Sequence, residues 1–420
     1  MEQLPVEVIG KILSHLSAAR DVVIASATCR TWRIACCKHL HTLSFSCNDW
    51  RTYGNLRTTR LESLITQTIF QTSGLQALTI LIYDVGRFSP STVMAWLMHT
   101  RETLRQLFYN VRTMHDVNIL QIRGGMHKLE ILYLAHNSIV GVEPNNHRFP
   151  CLKSLSLSYV CISALDLNLL VSACPKIEAL ELVNPKIAIS DSPATIEVSS
   201  PTLKSVYIVG ISCDKFVLDA DGIESLHLRS CVIEVFKLIG RGTLKHLTIE
   251  IVSIIHLDIG DTIEDIESVD TSYSTTIWPK FYHMISRSPN LKKLRLWEGD
   301  NVEEIVDLKL IATCNPHLSH LCLSYDVKYG VVDCAFYLEN VTVLELGWSV
   351  LDDVFSHWVE GLIKLCPKLK KLVIHGDVSH GKSVEECKML ANFTLSIVKL
   401  MRRYRHIDPY FNFEKDDDAF

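Results

Sequence analysis

The sequence predicts an α/β fold in which an N-terminal helical segment precedes a curved solenoid of stacked repeats. Three observations support this prediction. An apolar motif recurs about every 20–29 residues, several segments between its copies have helical periodicity and end at proline, and the first forty residues carry a helical stripe instead of the motif. With 420 residues, 48% of them hydrophobic, the chain has ample material for such a core.

The recurring motif is L-x-x-L-x-L, the core of a leucine-rich repeat. Its fullest copy, KLEILYLAHNSIV, continues to Asn137 and Ile139, and GIESLHLRSCVI repeats it with Cys231 at the asparagine position. Further copies begin at Leu152, Ile177, Leu203, Leu244, Leu291, Leu318, Val341 and Leu369, with looser ones at Leu75 and Leu104. The long interval after Leu244 predicts one degenerate unit near Leu257 or Ile263, so we expect about 12 units.

Each unit is expected to place one parallel strand on the concave side and one return segment on the convex side. In x-L-x-L-x, strand alternation turns the leucines to the core and the x residues to the concave surface. The shorter units between 201 and 259 leave room only for turns or extended returns. Other return segments are predicted to be amphipathic helices stopped by proline, at Pro175, Pro289, Pro316 and Pro367. A single unit cannot bury its own core, whereas stacked units can.

The first forty residues do not follow the repeat. LPVEVIGKILSHL predicts one helix with an apolar stripe, and DVVIASATCRTWRIA predicts a second helix that begins at Asp21. The stripe of the first helix consists of Val8, Ile9, Ile12, Leu13 and Leu16. Two helices of about 15 residues make a poor core alone, so they must pack on the repeats, on a partner, or on both.

This segment resembles an F-box. The pattern LPxExxxxIL…L…D…CRxWRxA matches here, with Thr28 where the family more often has an aliphatic residue. The matching residues are Leu4, Pro5, Glu7, Ile12, Leu13, Leu16, Asp21, Cys29, Arg30, Trp32 and Ala35. An F-box followed by leucine-rich repeats is similar to the plant F-box/leucine-rich-repeat proteins over essentially the whole chain.

The resemblance implies a substrate receptor of a cullin-based (SCF) ubiquitin ligase. In that family the F-box docks on a Skp-type adaptor, which bridges to the cullin, and the repeats hold a protein substrate. Carried over by residue match, adaptor binding is assigned to Leu4, Pro5, Ile9, Ile12, Leu13, Leu16 and Trp32. For Trp32, a place in the internal core is an equal alternative.

Aromatic and basic side chains on the predicted concave face indicate where a substrate binds, because interface hot spots are rich in Trp, Tyr and Arg. These candidates cluster in the middle and later repeats: Tyr207, His227, Arg229, Arg295 and Trp297. For any one of them, an ordinary solvated strand residue is the alternative.

Composition argues against several other partners. A net charge of −5 predicts neither a nucleic-acid nor a membrane partner, and no apolar run reaches 18 residues. The N-terminus lacks the features of a signal peptide. Fourteen scattered cysteines, without any C-x-x-C pair, predict reduced thiols in the cytoplasm or nucleus. The densest group of potential zinc ligands has irregular spacing, so we expect no metal there: Cys36, Cys37, His39, His41 and Cys47.

GDVSHGKS has the spacing of a phosphate-binding loop, with Gly376, Gly381, Lys382 and Ser383. It follows the predicted last repeat strand, Leu372–Ile374. A nucleotide hydrolase needs further parallel strands, one of them with a magnesium-binding acid, and the remaining residues predict only a helix and an acidic tail. We therefore expect no catalytic residue and no cofactor. An ATPase stays a remote alternative, and a repeat scaffold or inhibitor outside any ligase is the closer one.

These expectations divide the chain into four parts. They are an F-box at 1–45, a connecting segment at 46–74, the solenoid at 75–375, and a helical cap with an acidic tail at 376–420.

Overall fold

The computed structural model describes residues 4–16, 18–82, 86–114, 117–118, 122, 126–142, 149–188, 194–240, 244–259, 264–272, 284–297, 307–324, 336–348, 355–377 and 384–414. The chain forms two compact units, Met1–Asp221 and Gly222–Phe420.

Three helices begin the first unit: α1 (Val6–Leu13), α2 (Ala19–Thr28) and α3 (Arg30–His39). The prediction of a single second helix is wrong, because Cys29 has extended backbone angles (φ −159°, ψ 172°) and separates α2 from α3. The chain turns at this break, so that α2 and α3 pack against each other. The helix α1 also packs against α3. The three helices thus share a small core.

Among the described residues, the main sheet of the first unit has seven parallel strands, each hydrogen-bonded to the next. They are β1 (Thr42–Ser46), β2 (Ala77–Ile82), β3 (Gln106–Val111), β4 (Ile131–Ala135), β6 (Ser154–Ser158), β8 (Ala179–Val183) and β11 (Ser205–Val209). The return side carries α4 (Thr58–Gln71), α5 (Pro90–Thr100) and α6 (Ala164–Ser172), a 3₁₀ turn (Arg51–Asn55), and the short strands β5 (Ser138–Ile139), β7 (Cys161–Ile162), β9 (Lys186–Ile187), β10 (Thr195–Ser199) and β12 (Ser212–Asp219).

In the second unit, the part of the chain that the structure describes forms a main sheet of eight parallel strands. They are β13 (Ser225–Arg229), β15 (His246–Glu250), β17 (Ser268–Ser272), β18 (Lys293–Trp297), β19 (His320–Ser324), β20 (Val343–Trp348), β21 (Lys371–Asp377) and β22 (Asp408–Glu414). The return side carries β14 (Val232–Ile239), β16 (Ser253–Asp258), α7 (Leu308–Cys314), α8 (Phe355–Leu365) and α9 (Val384–Arg403).

The repeat prediction is confirmed in both units. The motif leucines form the core, as Leu129, Leu132 and Leu134 show with no exposed surface. Helical returns occur at α6, α7 and α8, and extended returns occur at β12, β14 and β16. The degenerate unit exists, but it begins at Ile266 rather than near Leu257 or Ile263. Its strand β17 has Val269 and Thr271 in place of leucines, which hid it from the motif.

Repeat strands also lie outside the predicted range of 75–375. At the N-terminal end, β1 and α4 form one additional repeat. At the C-terminal end, the predicted helix is α9, and β22 adds one more strand to the sheet. The sequence did not indicate β22 because Pro409 stands at a core-facing position, where the repeats have leucine. The structure leaves Phe411, at another core-facing position, 40% exposed.

The helices α1 and α3 approach each other closely at Gly10. A Cβ atom on Gly10 would overlap the Cβ of His39, so only glycine fits at this crossing.

We expect Gly10→Ala to destabilise α1. Alanine in a helix usually adds about 1 kcal/mol relative to glycine, but here relief of the overlap requires α1 to move, at a cost of roughly 1–3 kcal/mol. Hydrogen exchange of the α1 and α3 amides measures this local stability. Gly54→Ala is the control, because nothing lies within 4 Å of that position. Slower exchange in Gly10→Ala than in the wild type would contradict the close approach.

Candidate protein-docking surfaces

The helix α1 has one buried row and one exposed row of apolar side chains. Ile9 and Leu13 are 0% and 1% exposed, within the core that α1 forms with α3. Val8 and Ile12, four residues apart on α1, are 43% and 49% exposed, and Leu4, two residues before the helix, is 39% exposed. This second set is called the exposed row below. Three more apolar side chains of α2 and α3 are also exposed: Val23, Ile24 and Ile34.

The structure separates the predicted adaptor residues by burial. Ile9 and Leu13 are buried within the chain. Leu4, Pro5 and Ile12 are exposed, whereas Leu16 and Trp32 are half-buried. Val8, which is not among the predicted adaptor residues, is also exposed. Helical periodicity groups both rows into one stripe, and only the packing of α1 on α3 determines which row stays outside.

The N-terminal helices are joined to the first repeat by backbone bonds. Ala18 forms a parallel bridge with Ser44 at the edge of β1. The carbonyl of Cys37 accepts hydrogen bonds from the Ser73 backbone N–H (2.9 Å) and hydroxyl (2.7 Å). The guanidinium of Arg20 lies 5.7 Å from the ring centroid of Trp50. These contacts hold the helices and the first repeat together.

The cysteines and histidines near residue 40 have separate structural roles. The Cys36 thiol is buried and faces the Val22 carbonyl, and the His41 Nδ1 lies 3.0 Å from the Gly74 carbonyl oxygen. Burial raises the pKa of Cys36. Within the part of the chain that the structure describes, no three His, Cys, Asp or Glu side chains converge as metal ligands would.

The outward face of the first unit is almost uncharged. The first, third and fifth residues of each main strand point away from the core, which makes 21 positions, and Glu181 is the only charged residue among them. Phe108 and Tyr133 stack with their centroids 6.2 Å apart. Tyr207 stands at the centre of β11, in register with Glu181 on β8.

The outward face of the second unit is charged. Of its 24 equivalent positions, eight carry Asp, Glu, Lys or Arg and four carry histidine. Arg229 Nε and His227 Nε2 lie 3.6 Å and 4.0 Å from Glu250 Oε2. Burial lowers the pKa of His227, and the nearby Glu250 offsets part of that shift. The two predicted residues of β13 therefore meet at one carboxylate.

Arg295 and Trp297, the predicted residues of β18, lie against each other. The guanidinium carbon of Arg295 is 5.1 Å from the Trp297 ring centroid, and Arg295 pairs with Asp270 at 3.5 Å. The Trp297 ring extends over Gly347 on β20, where a Cβ atom would overlap it, and its edge meets His375 with centroids 5.6 Å apart. The indole thus spans from β18 towards β21.

Glu345 is shared by two histidines that the sequence did not single out. Its Oε1 lies 2.9 Å from His320 Nε2, and its Oε2 lies 3.4 Å from His375 Nε2. The two neighbouring imidazoles hold the pKa of Glu345 well below its usual range, so the carboxylate is charged. On β19, in register with Glu345, burial raises the pKa of Cys322 to about 12. This thiol therefore stays protonated and is a poor nucleophile.

The phosphate-loop pattern gains no support from the described residues. Gly376 belongs to β21, the last strand before α9, and Gly381, Lys382 and Ser383 lie outside the described residues. None of the described helices is both long and apolar enough to cross a membrane.

Comparisons with known proteins agree with this architecture. A family model described as F-box-like matches residues 1–46, and one described as the LRR repeats of the FBD-associated F-box protein At5g56370 matches residues 102–265. The chain is 62% identical to the F-box/LRR-repeat protein At1g67190 of Arabidopsis thaliana, over 99% of this chain and 100% of that protein. It belongs to the F-box/leucine-rich-repeat family. A more distant relative, the F-box protein At1g10780 of the same plant, is 20% identical over 89% of this chain and 92% of its own length.

Family membership identifies the parts described above. The helices α1 to α3 are the F-box, and the two units of parallel strands are the leucine-rich-repeat region. The exposed row therefore lies on the F-box, and the Trp297 cluster lies on the repeats.

We expect Gly347→Ala to displace Trp297, because the new methyl group would occupy the place of the indole ring. Near-ultraviolet circular dichroism and tryptophan fluorescence should change, with a loss of roughly 1–3 kcal/mol in stability. In a Trp297→Ala background the same substitution should have almost no effect, since the overlap is gone. Gly361→Ala is the control, with no atom within 4 Å. Equal effects of Gly347→Ala in both backgrounds would argue against this packing.

Proposed function

We propose that this F-box/leucine-rich-repeat protein is the substrate-recognition subunit of a cullin-based SCF ubiquitin ligase. Its F-box docks on a Skp-type adaptor, which bridges to the cullin, and its repeats bind a protein substrate. The exposed row on α1 is the observation that carries the proposal.

The exposed row favours a partner over an internal role. A helix pair that served only as a cap would bury its apolar side chains on the first repeat. Here Leu4, Val8 and Ile12 stay 39–49% exposed, although the opposite row of α1 is fully buried. An apolar row at helical spacing fits a groove on a partner. We place adaptor binding on this row together with Pro5, with Leu16 and Trp32 at its half-buried margin.

The chain itself supplies proximity rather than chemistry. Backbone bonds at Ala18 and Cys37 join the F-box to the first repeat, so adaptor docking brings the repeats and a substrate bound to them into the same complex. Such positioning raises the effective concentration of substrate near a ubiquitin-charged enzyme. The cysteines Cys36, Cys174 and Cys366 are free and buried, which supports a reducing compartment, the cytoplasm or nucleus.

We place substrate binding on the charged outward face of the second unit, at His227, Arg229, Arg295 and Trp297. Trp and Arg carry much of the energy of protein interfaces. The network of Glu345 with its two histidines borders Trp297 through His375 and extends this surface. Tyr207, on the first unit, is a further candidate for substrate binding only because tyrosine is common at interface hot spots.

The adaptor proposal is tested by co-expression with a Skp-type adaptor and size-exclusion chromatography. We expect the wild type to co-elute with the adaptor and Leu4→Asp/Ile12→Asp to elute alone, because a charge in an apolar interface is not solvated. The matched control is Val232→Asp/Ile255→Asp, which changes two apolar residues of β14 and β16 that are 59% and 53% exposed. This control should co-elute.

Circular dichroism confirms that the repeats of each variant are folded. Absence of a complex with folded wild type would refute the ligase proposal and leave the non-ligase scaffold as the better explanation. Co-elution of Leu4→Asp/Ile12→Asp would instead show that the adaptor binds elsewhere.

The substrate surface is tested by comparing the proteins that copurify with the adaptor-bound complex from plant cells. We expect Arg295→Ala/Trp297→Ala to lose the captured substrates and to keep the adaptor. Phe108→Ala/Tyr133→Ala removes the stacked aromatic pair on the uncharged face of the first unit and should keep both. Loss of substrates in the second variant alone would move the substrate surface to the first unit.

A further inference from the structure

A cleft of about 350 Å³ lies between the F-box and the first repeat, inside the first unit. Its floor combines Val22 of α2, Cys36 of α3, Thr68 of α4 and Thr72 just after α4, each less than a tenth exposed. A volume of this size is typical of a small-molecule site. The adaptor and substrate surfaces proposed above rest on other residues.

The rim of the cleft carries hydrogen-bond donors. It is formed by Arg33 of α3 and by Arg60, Gln67 and Gln71 of α4, all exposed. The spacing of the α4 residues places them on one face of that helix. Within the described residues, none of these four side chains has an ion pair or hydrogen bond with another group of the chain.

The lining hydroxyls are already used inside their own helices. Ser63 donates to the Thr59 carbonyl (2.9 Å) and Thr68 donates to the Leu64 carbonyl (2.8 Å). Thr72 donates to the Thr68 carbonyl in the same way (2.9 Å). The donors left for a ligand are therefore the guanidinium and amide groups of the rim.

The charge around the cleft is positive. None of the described residues that line it is acidic. Residues 18–72 contain seven Lys and Arg against three Asp and Glu, within a chain of net charge −5. Two of those acids are engaged elsewhere, since Asp49 accepts from the Ser44 hydroxyl and Glu62 accepts from the Ser89 backbone N–H. Positive charges around a concave site raise the local concentration of anions.

We propose that this cleft binds a small organic anion. The acidic group of the ligand lies between Arg33 and Arg60 at the rim, and its apolar part lies against Val22 and Cys36 on the floor. Such a ligand touches α2, α3 and α4 at once, so it strengthens the connection between the F-box and the first repeat. The proposal is independent of adaptor binding and names a site beyond the proposed function.

The probe is anilinonaphthalene sulfonate, which joins an acidic group to an apolar body and fluoresces in apolar sites. Phenylnaphthylamine, which lacks the sulfonate, is the neutral comparison. We expect saturable one-to-one binding of the sulfonate to the full chain. Arg33→Gln/Arg60→Gln should weaken it by about tenfold or more and leave phenylnaphthylamine nearly unchanged. The control Arg51→Gln/Arg57→Gln removes two exposed arginines of the same segment that do not line the cleft, and it should bind as the wild type does.

A second variant, Gln67→Glu, adds a negative charge at the rim without a change in size. It should also weaken binding of the sulfonate, and far-ultraviolet circular dichroism shows that each variant is folded. Unchanged binding in Arg33→Gln/Arg60→Gln, or an equal loss in the control pair, would overturn the proposal. The titration is repeated on the adaptor complex where one forms. Loss of the sulfonate site in that complex would assign the cleft to the adaptor and equally overturn it.

Discussion

Stacking of the repeats is the constraint on which the rest of this structure depends. A repeat strand such as β4 buries Leu132 and Leu134, but the sides of these leucines are covered only by the neighbouring repeats. Consecutive main strands within each unit pair in parallel without a residue offset, so the leucines of successive repeats form continuous buried rows. The F-box closes the start of the first sheet through the bridge from Ala18 to Ser44. At the other end, β22 leaves Phe411 partly uncovered.

Alternating charge supports the same register. The residue just before the main strand alternates in sign along the repeats from β3 to β11 and again from β13 to β18. In the first unit these residues are Arg105, Glu130, Lys153, Glu178 and Lys204, and in the second they are Glu224, Lys245, Glu267 and Lys292. Glu130 bonds to Arg105 at 2.9 Å and to Lys153 at 3.1 Å, which lowers its pKa. Each exposed pair contributes little to stability, but a shift by one repeat would bring like charges together.

The sequence was sufficient for features that depend on local periodicity, and insufficient for those that depend on packing between elements. The leucine spacing predicted the strands, and the prolines predicted where helical returns end. It could not separate Val8 from Ile9, because both fit one helical stripe. It predicted a degenerate repeat after β15 but not the position of β17, where Val269 and Thr271 replace leucines, since a core position accepts other residues when its neighbours supply the apolar surface. The contact of Trp297 with Gly347 crosses two strand spacings and has no local signal.

The division between core and outward positions explains how one scaffold carries two different faces. Because the leucine rows stabilise the stack, the outward residues are free to differ, and they are nearly uncharged in the first unit but charged in the second. In the second unit several charges are paired within the face, as Asp270 is with Arg295 and Glu345 is with His320. A partner there does not need to supply a large opposite charge. We therefore expect a substrate bound at this proposed surface to fit the Trp297 ring and to exchange hydrogen bonds with these paired groups, which would give selectivity by geometry more than by net charge.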